Sequence, residues 1–410
     1  MGQSKGTNTI VNETDEIIRL VEYQTCNLAL SEFTEEDAQR VFLQFGGKIT
    51  VEWPTPKTAN QWQLTSQGWV GFVPLSDKRG ISLQPKVPLN NLFRMLEYAY
   101  DIASFKLLDR LYDCESIRDF YDTLAVILSK RLLVRAREGL YKTYQDEYES
   151  IGFVRGRIDI ATFSRTAVKS LIPCSYEDHT IDNIDNQIVA CTLHTILRSG
   201  ICSERSIPIL RKAERVLRNS VSLKSFFGNQ CVNRCYNRLN KDYEVLHKLC
   251  RFFLDNTGPT QNYGDRAMVP FLIDMAQLFE LFVARWLKKN LDSRYILKTH
   301  ESLHIGEKGA MRMNMDLVIF ERASGKPLCV LDTKYKAHST VSRQDYNQVV
   351  AYGDALHCNN AMLIYPKELE NLFDEMPGNI RVRTAVFDIG IDLEKAGEIL
   401  MYKIDGAISI

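Results

Sequence analysis

Residues 327–336 read PLCVLDTKYK, and this segment constrains the fold more than any other. Cys329, Val330 and Leu331 form an unbroken apolar run, the pattern of a strand covered on both faces. Asp332 and Lys334 follow, two positions apart, so on an extended backbone they point to the same side. A strand covered on both faces demands a layered sheet with helices against it, and this one ends in charge. The last third of the chain is therefore read as an α/β layer with a rigidly presented Asp and Lys.

The neighbouring segments supply that layer. PFLIDMAQLFELFVARWLKKN has the periodicity of an amphipathic helix, and RYILKTHESLHI and MRMNMDLVIF read as strands. A turn at ASGK leads into PLCVLDTKYK, SRQDYNQVVAYGDAL returns to helical spacing, and AMLIYP and IRVRTAVFDI supply two more strands. The order is helix, three strands, helix, two strands. A three-stranded meander followed by a crossover helix gives a mixed sheet.

A hairpin between the second and third strands brings Asp316 beside Asp332. Two carboxylates from adjacent strands form a hard oxygen site of the kind Mg²⁺ prefers, with water and a phosphate completing the octahedron. Lys334 beside such an ion can position the attacking water and neutralise charge on the phosphate. The plain alternative is an Asp–Lys pair on a solvated face. Glu280 interrupts the apolar helix before the sheet, where it can act as a third ligand or stand on an exposed face. Gln348 and Tyr352, four apart, share a face of the following helix and can contact phosphate or its backbone. His300 and His304 lack ligand spacing to the Asp-x-Lys pair and are left outside the site.

The remainder divides in two. Residues 1–14 are polar and are read as a flexible N-terminus, and residues 15–90 as a β-rich domain. EIIRLVEY, KITVEW, GWVGFVPL and GISLQPKV are strand-like, and TEEDAQRVFLQF is a helix opened by Thr34 and closed at Gly46-Gly47. Trp53, Trp62, Trp69 and Phe72 gather there, either as the packing of a small barrel or as a stacking or partner surface. Residues 91–262 are read as mainly helical, with Ile117, Phe120, Tyr121, Leu124, Ile127, Leu128 and Leu132 on one face of a long helix. Lys130, Arg131, Arg135 and Arg137 mark its other side, a solvated face or a phosphate contact. Residues 263–410 form the α/β part, so the whole is an α+β multidomain chain.

Composition sets outer bounds. A chain of 410 residues exceeds one ordinary core, and 45% hydrophobic with 25% charged content is that of a globular protein. With 51 basic and 51 acidic residues the net charge is zero, which argues against coating nucleic acid through bulk charge but not against local basic grooves. Ten cysteines, with only Cys231 and Cys235 closely spaced, fit reduced thiols better than a zinc site. MGQSKGTNTI has no apolar core of a secretory signal, and no stretch approaches a membrane span, so a cytoplasmic protein without membrane contact is expected.

The order of carboxylate helix, D…DxK hairpin and QxxxY helix resembles the PD-(D/E)xK nuclease superfamily. Met315 stands where that superfamily often has a proline. LQPKVPLNNLFRMLEYAYD, VRGRIDI and SYEDHTIDNIDNQIVACTLHTIL resemble the McrC subunits of modification-dependent restriction systems, with Gly156, Arg157, Asp182 and Asn186 carrying much of the match over residues 80–365. Read from the residues alone, Asp182 or Asn183 caps a helix.

The resemblance implies a Mg²⁺-dependent (or Mn²⁺-dependent) DNA endonuclease subunit with a PD-(D/E)xK core. Asp316, Asp332 and Glu280 would hold metal, with Lys334, Gln348 and Tyr352 completing the catalytic set. It further implies an McrB-like AAA+ GTPase hexamer as partner, with residues 15–90 docking to it, and methylated or otherwise modified double-stranded DNA as target. Arg157, Lys336 and Arg343 are candidate DNA contacts, with Arg157 and Asn186 either structural or DNA-facing. No G-x-x-x-x-G-K-[ST] is present, so this chain is expected to bind no nucleotide. The alternatives are a non-catalytic adaptor that activates an AAA+ motor, and a stand-alone repair nuclease.

Overall fold

The computed structural model describes residues 16–75, 79–102, 114–165, 170–258, 261–263, 266–268, 270–305, 311–335, 340–376 and 378–408. The expected flexible N-terminus (1–14) and Lys336 lie outside these residues. The chain forms two compact units, Met1–Phe120 with Gly258–Ile410, and Tyr121–Thr257. Set beside the expected segments 15–90, 91–262 and 263–410, the two ends of the chain share one unit.

In the first unit, β1 (Glu16–Val21), β2 (Thr25–Leu28), α1 (Glu35–Phe45), β3 (Ile49–Glu52), β4 (Trp62–Ser66), β5 (Trp69–Pro74) and β6 (Arg79–Gln84) come first. Thr34 caps α1 as its sequence predicts, its side chain accepting from Asp37 N while Asp37 accepts from Thr34 N. β2-β4-β3 is one sheet, and β1-β6-β5 belong to another. Leu20, Phe33, Val41, Phe45, Ile49, Leu64, Ile81 and Leu83 share the core with Trp62. Trp53 and Trp62 meet edge to face at 5.8 Å, and Trp53 and Trp69 pack on the same core. The aromatics are therefore largely packing residues. α2 (Leu89–Tyr100) follows and ends at Asp101.

The second unit begins within α3 (Ile117–Glu138) and continues with β7 (Thr143–Ile151), β8 (Arg157–Ile158), α4 (Ile160–Arg165), β9 (Ile172–Thr180), α5 (Ile184–Ser199), α6 (Ile207–Arg218) and α7 (Tyr243–Asn256). The expectation of a mainly helical region missed the antiparallel sheet β7-β9-β8. Its strands read weakly because most β7 side chains are exposed and polar, which leaves no apolar alternation to detect. Asn183 is the α5 cap, its side chain accepting from Asn186 N.

The first unit resumes with β10 (Gln261–Tyr263), β11 (Arg266–Met268), β12 (Phe271–Asp274), α8 (Met275–Asn290), β13 (Tyr295–Ile305), β14 (Met311–Glu321), β15 (Pro327–Thr333), α9 (Arg343–Ala355), β16 (Asn360–Tyr365), β17 (Asp374–Glu375), β18 (Arg381–Val386) and α10 (Leu393–Ile408). β12 joins the N-terminal sheet, pairing antiparallel with β5 so that Phe271 lies opposite Phe72. Gly71 sits in that pairing with φ +146, and a Cβ there would meet Phe271 O at 2.1 Å, so only glycine fits. α8 packs on α2, with Tyr98 and Phe282 edge to face at 5.8 Å.

The large sheet runs β13-β14-β15-β16-β18-β17. β13, β14 and β15 pair antiparallel, whereas β15, β16 and β18 pair parallel, giving the expected mixed sheet with α9 as crossover. Cys329, Val330 and Leu331 are each 0% exposed, as a strand covered on both faces requires. Val330, Ala361 and Leu363 share a core with Val349 and Tyr352 of α9.

Candidate metal and acid–lysine site

The site forms where the C-terminal end of β15 meets the middle of β14. Leu317 pairs with Leu331 as the last registered pair of β14 and β15, which leaves Asp316 and Asp332 at the next opposed positions. Asp332 is fully buried at the end of its apolar strand. Thr333 holds Asp316, donating from its backbone N (3.2 Å) and hydroxyl (3.3 Å) to Asp316 Oδ2. Lys334 N bonds to Ile364 O, so the end of β15 is fixed to β16 beyond the Asp.

Lys334 Nζ lies 2.6 Å from Asp332 Oδ2 and 4.0 Å from Asp345 Oδ1. It donates to Gln348 Oε1 (3.2 Å), and Gln348 Nε2 donates to Tyr352 Oη (2.7 Å). The four-residue spacing on α9 thus builds a relay from Tyr352 through Gln348 to the ammonium. Asp345 enters because Ser342 caps α9, its hydroxyl accepting from Asp345 N. The S-x-x-D signal for that cap is legible in the sequence, but the burial of Asp345 beside Lys334 is not.

Glu280 of α8 is the third carboxylate. Burial pushes its pKa up to about 7, helped by the negative charges of Asp316 and Asp332 and opposed by Lys334. Burial likewise raises Asp332, against the Lys334 ammonium. Burial lowers Lys334, but the surrounding carboxylates, Asp332 first, outweigh it and leave its pKa raised. Like charges at close range make this a site that favours an added cation.

His300, left outside the site on sequence grounds, belongs beside it. Its Nδ1 is 3.4 Å from Glu280 Oε1. The β13–β14 pairing passes from Thr299↔Leu317 to Glu301↔Met315, and His300 interrupts it with φ +53. Left-handed backbone at a non-glycine residue inside a strand has no sequence signal. His304 is in β13, but its side chain lies outside the described residues.

Among the described residues no three His, Cys, Asp or Glu side chains gather closely enough to hold a metal by themselves. The donor set nevertheless fits a hard divalent ion that keeps waters. Asp332 Oδ2 faces the Lys334 ammonium, whereas its Oδ1 is buried without a hydrogen-bond partner and so keeps lone pairs for a cation.

The outlying candidates fall differently. Arg343 is the exposed first residue of α9, and Arg157 is exposed on β8 of the second unit. Asn186, the open alternative between structural and DNA-facing, is structural. It is fully buried, its amide donates to Tyr141 O (2.9 Å) and Ile181 O (2.7 Å), and Tyr243 Oη donates to its oxygen at 2.5 Å. Asp182 accepts from Ser222 N and Oγ and from Gln187 Nε2. Arg135, a candidate phosphate contact, pairs with Asp242 at 3.3 Å and stacks over Tyr243.

Fold and site together define a mixed α+β protein with several sheets, whose largest sheet ends in clustered carboxylates and a lysine. The chain belongs to the family described as McrBC 5-methylcytosine restriction system component, whose model matches residues 64–366. It is 24% identical over 271 residues to the type IV methyl-directed restriction enzyme EcoKMcrBC of Escherichia coli (strain K12), covering 62% of this chain and 74% of that protein. A chain from a half-complex of Thermococcus gammatolerans McrB AAA+ hexamers with bound McrC shares the fold at a TM-score of 0.57. The likeness covers 95% of this chain and 99% of that one at 16% identity. No helix among the described residues is long and apolar enough to cross a membrane.

Proposed function

We propose that the chain is an McrC-like endonuclease subunit that hydrolyses DNA phosphodiesters at a PD-(D/E)xK site. The observation that carries this reading is the opposition of Asp316 and Asp332 on adjacent strands, with the Lys334 ammonium 2.6 Å from Asp332. Asp316, Asp332 and Glu280 would hold Mg²⁺ or Mn²⁺, which when bound supplies Lewis acidity and a more acidic water. Thr333 fixes one Asp316 oxygen, leaving the other to face a ligand. Gln348, anchored by Tyr352, orients Lys334, whose positive charge suits the phosphoryl oxygens as charge builds on them.

Family membership and the two relatives support a motor partner of the McrB AAA+ GTPase type and methylated DNA as target. Residues 15–90 would dock to that ring. The test uses the full chain with its motor, DNA and Mg²⁺. Asp332→Ala and Lys334→Ala should each lower cleavage by about 10²-fold or more while stimulated nucleotide hydrolysis continues. Full cleavage in both variants would end the site assignment. A parent protein that stimulates the motor but yields no metal-dependent product would instead be an adaptor.

A further inference from the structure

The second unit holds a basic groove that the acid–lysine site does not explain. Its walls are α5 and α6, and it encloses ≈ 470 Å³. Arg198 of α5 and Arg211, Arg215 and Arg218 of α6 line it, along with His194 and Glu214. Four cations thus face a single carboxylate, and His194 Nδ1 already lies 3.5 Å from that carboxylate.

The groove arginines differ from several others in the same unit that are neutralised by aspartates. Arg135, Arg155, Arg234 and Arg251 each form such a pair. Among the described residues none of the four groove arginines has a carboxylate partner, and Arg215 Nε donates only to Arg211 O at 3.3 Å. Clustered guanidinium groups repel one another, so the arrangement favours an external anion.

Spacing narrows the anion. Leu210, Ala213 and Leu217 bury one side of α6, which presents Arg211, Arg215 and Arg218 at i, i+4 and i+7 on the other. At a rise of ~1.5 Å per residue they span about 10 Å, a row rather than a single point. One strand of duplex DNA places a charge every ~3.4 Å along its axis, so the row can meet successive phosphates. The planar guanidinium fork suits phosphate oxygens. Among the described residues no Phe, Tyr or Trp lines the groove, which disfavours stacking on unpaired bases.

We infer that the α5–α6 groove seats the phosphodiester backbone of duplex DNA, independent of base sequence. Naming the polyanion as duplex DNA rests on the nuclease reading above.

The experiment follows binding of a labelled duplex to the full chain by fluorescence anisotropy, from about 50 to 200 mM salt. Arg211→Ala with Arg215→Ala should weaken binding equally for unrelated sequences and flatten the log–log salt slope by about 2. Arg211→Lys with Arg215→Lys should keep most of the slope. Both arginines are exposed, so unchanged thermal unfolding of the double variant verifies its fold. Unaltered affinity and slope overturn the inference. Loss of motor stimulation with intact duplex binding also overturns it, and assigns the groove to an acidic protein surface. Asp332→Ala separates the two readings. Cleavage by that variant refutes the nuclease site alone, whereas normal duplex binding by the arginine double variant refutes the groove alone.

Discussion

Tyr335 Oη donates a 3.0 Å hydrogen bond to Oε2 of Glu22, 313 positions earlier in the chain. The same oxygen accepts from Lys86 N at 3.0 Å, while the buried Oε1 has no partner. Tyr335 directly follows Lys334, so the end of β15 is tied to the N-terminal segment one residue beyond the lysine of the site. Burial raises the Glu22 pKa, and the bonds from Lys86 and Tyr335 hold it down.

Tyr335→Phe should therefore destabilise the protein by about 1–3 kcal/mol at neutral pH, read from urea unfolding. The sign with pH follows from linkage. Losing the donor raises the folded pKa of Glu22 further above 4.5, so the deficit should fade as pH falls and the carboxyl protonates. An equal deficit at all pH values would mean that Tyr335 acts through packing alone.

Lys334→Met should lower both cleavage and metal-free stability. It leaves Asp332 buried without its nearest cation, and removing one partner of a buried pair costs about 3–5 kcal/mol. Adding Asp332→Asn to the same protein should recover part of that stability but none of the cleavage. Thermal unfolding without metal, beside a cleavage assay, reads the two effects separately.

Glu280 sets a pH dependence. Its folded pKa of about 7 lies above 4.5, so its contribution to stability is fully present below about 4.5 and is lost as pH rises through about 7. Metal-free Glu280→Gln should accordingly be more stable than the parent above neutrality, by about 1–3 kcal/mol after allowance for screening at a partly open site. In the parent, Mn²⁺ binding followed by calorimetry should strengthen with pH across the same window, because protons and metal compete for the carboxylate. A pH-independent midpoint would remove Glu280 from the ligand set.

Asn186→Ala should cost the second unit about 1–3 kcal/mol, since it leaves the buried Tyr243 hydroxyl without its acceptor, while the Tyr141 and Ile181 carbonyls keep their bonds from Asn183. Duplex binding measured below the unfolding transition should stay at the parent level. Weakened DNA binding by a folded variant would restore the DNA-facing alternative for this residue.

Much of the site could be read from the chain because local geometry fixes it. Asp332 and Lys334 share a strand face by period two, and Gln348 and Tyr352 share a helix face by their four-residue spacing. The apolar run before Asp332 announced a buried strand, and Thr34 announced α1. The sheet of β7, β8 and β9 escaped notice because β7 lacks an apolar alternation. His300 escaped because its role depends on a backbone angle, and Asp345 because its burial depends on where α9 lands.

The sequence by itself determined which side chains share a face within one element, since strand and helix periods depend only on the local backbone. Only the tertiary structure decided that Asp316 stands opposite Asp332, that His300 turns toward Glu280, and that β12 completes an N-terminal sheet. It also joined Tyr335 to Glu22 across most of the chain. These relations depend on register and on closing long loops, and no short window of sequence contains them.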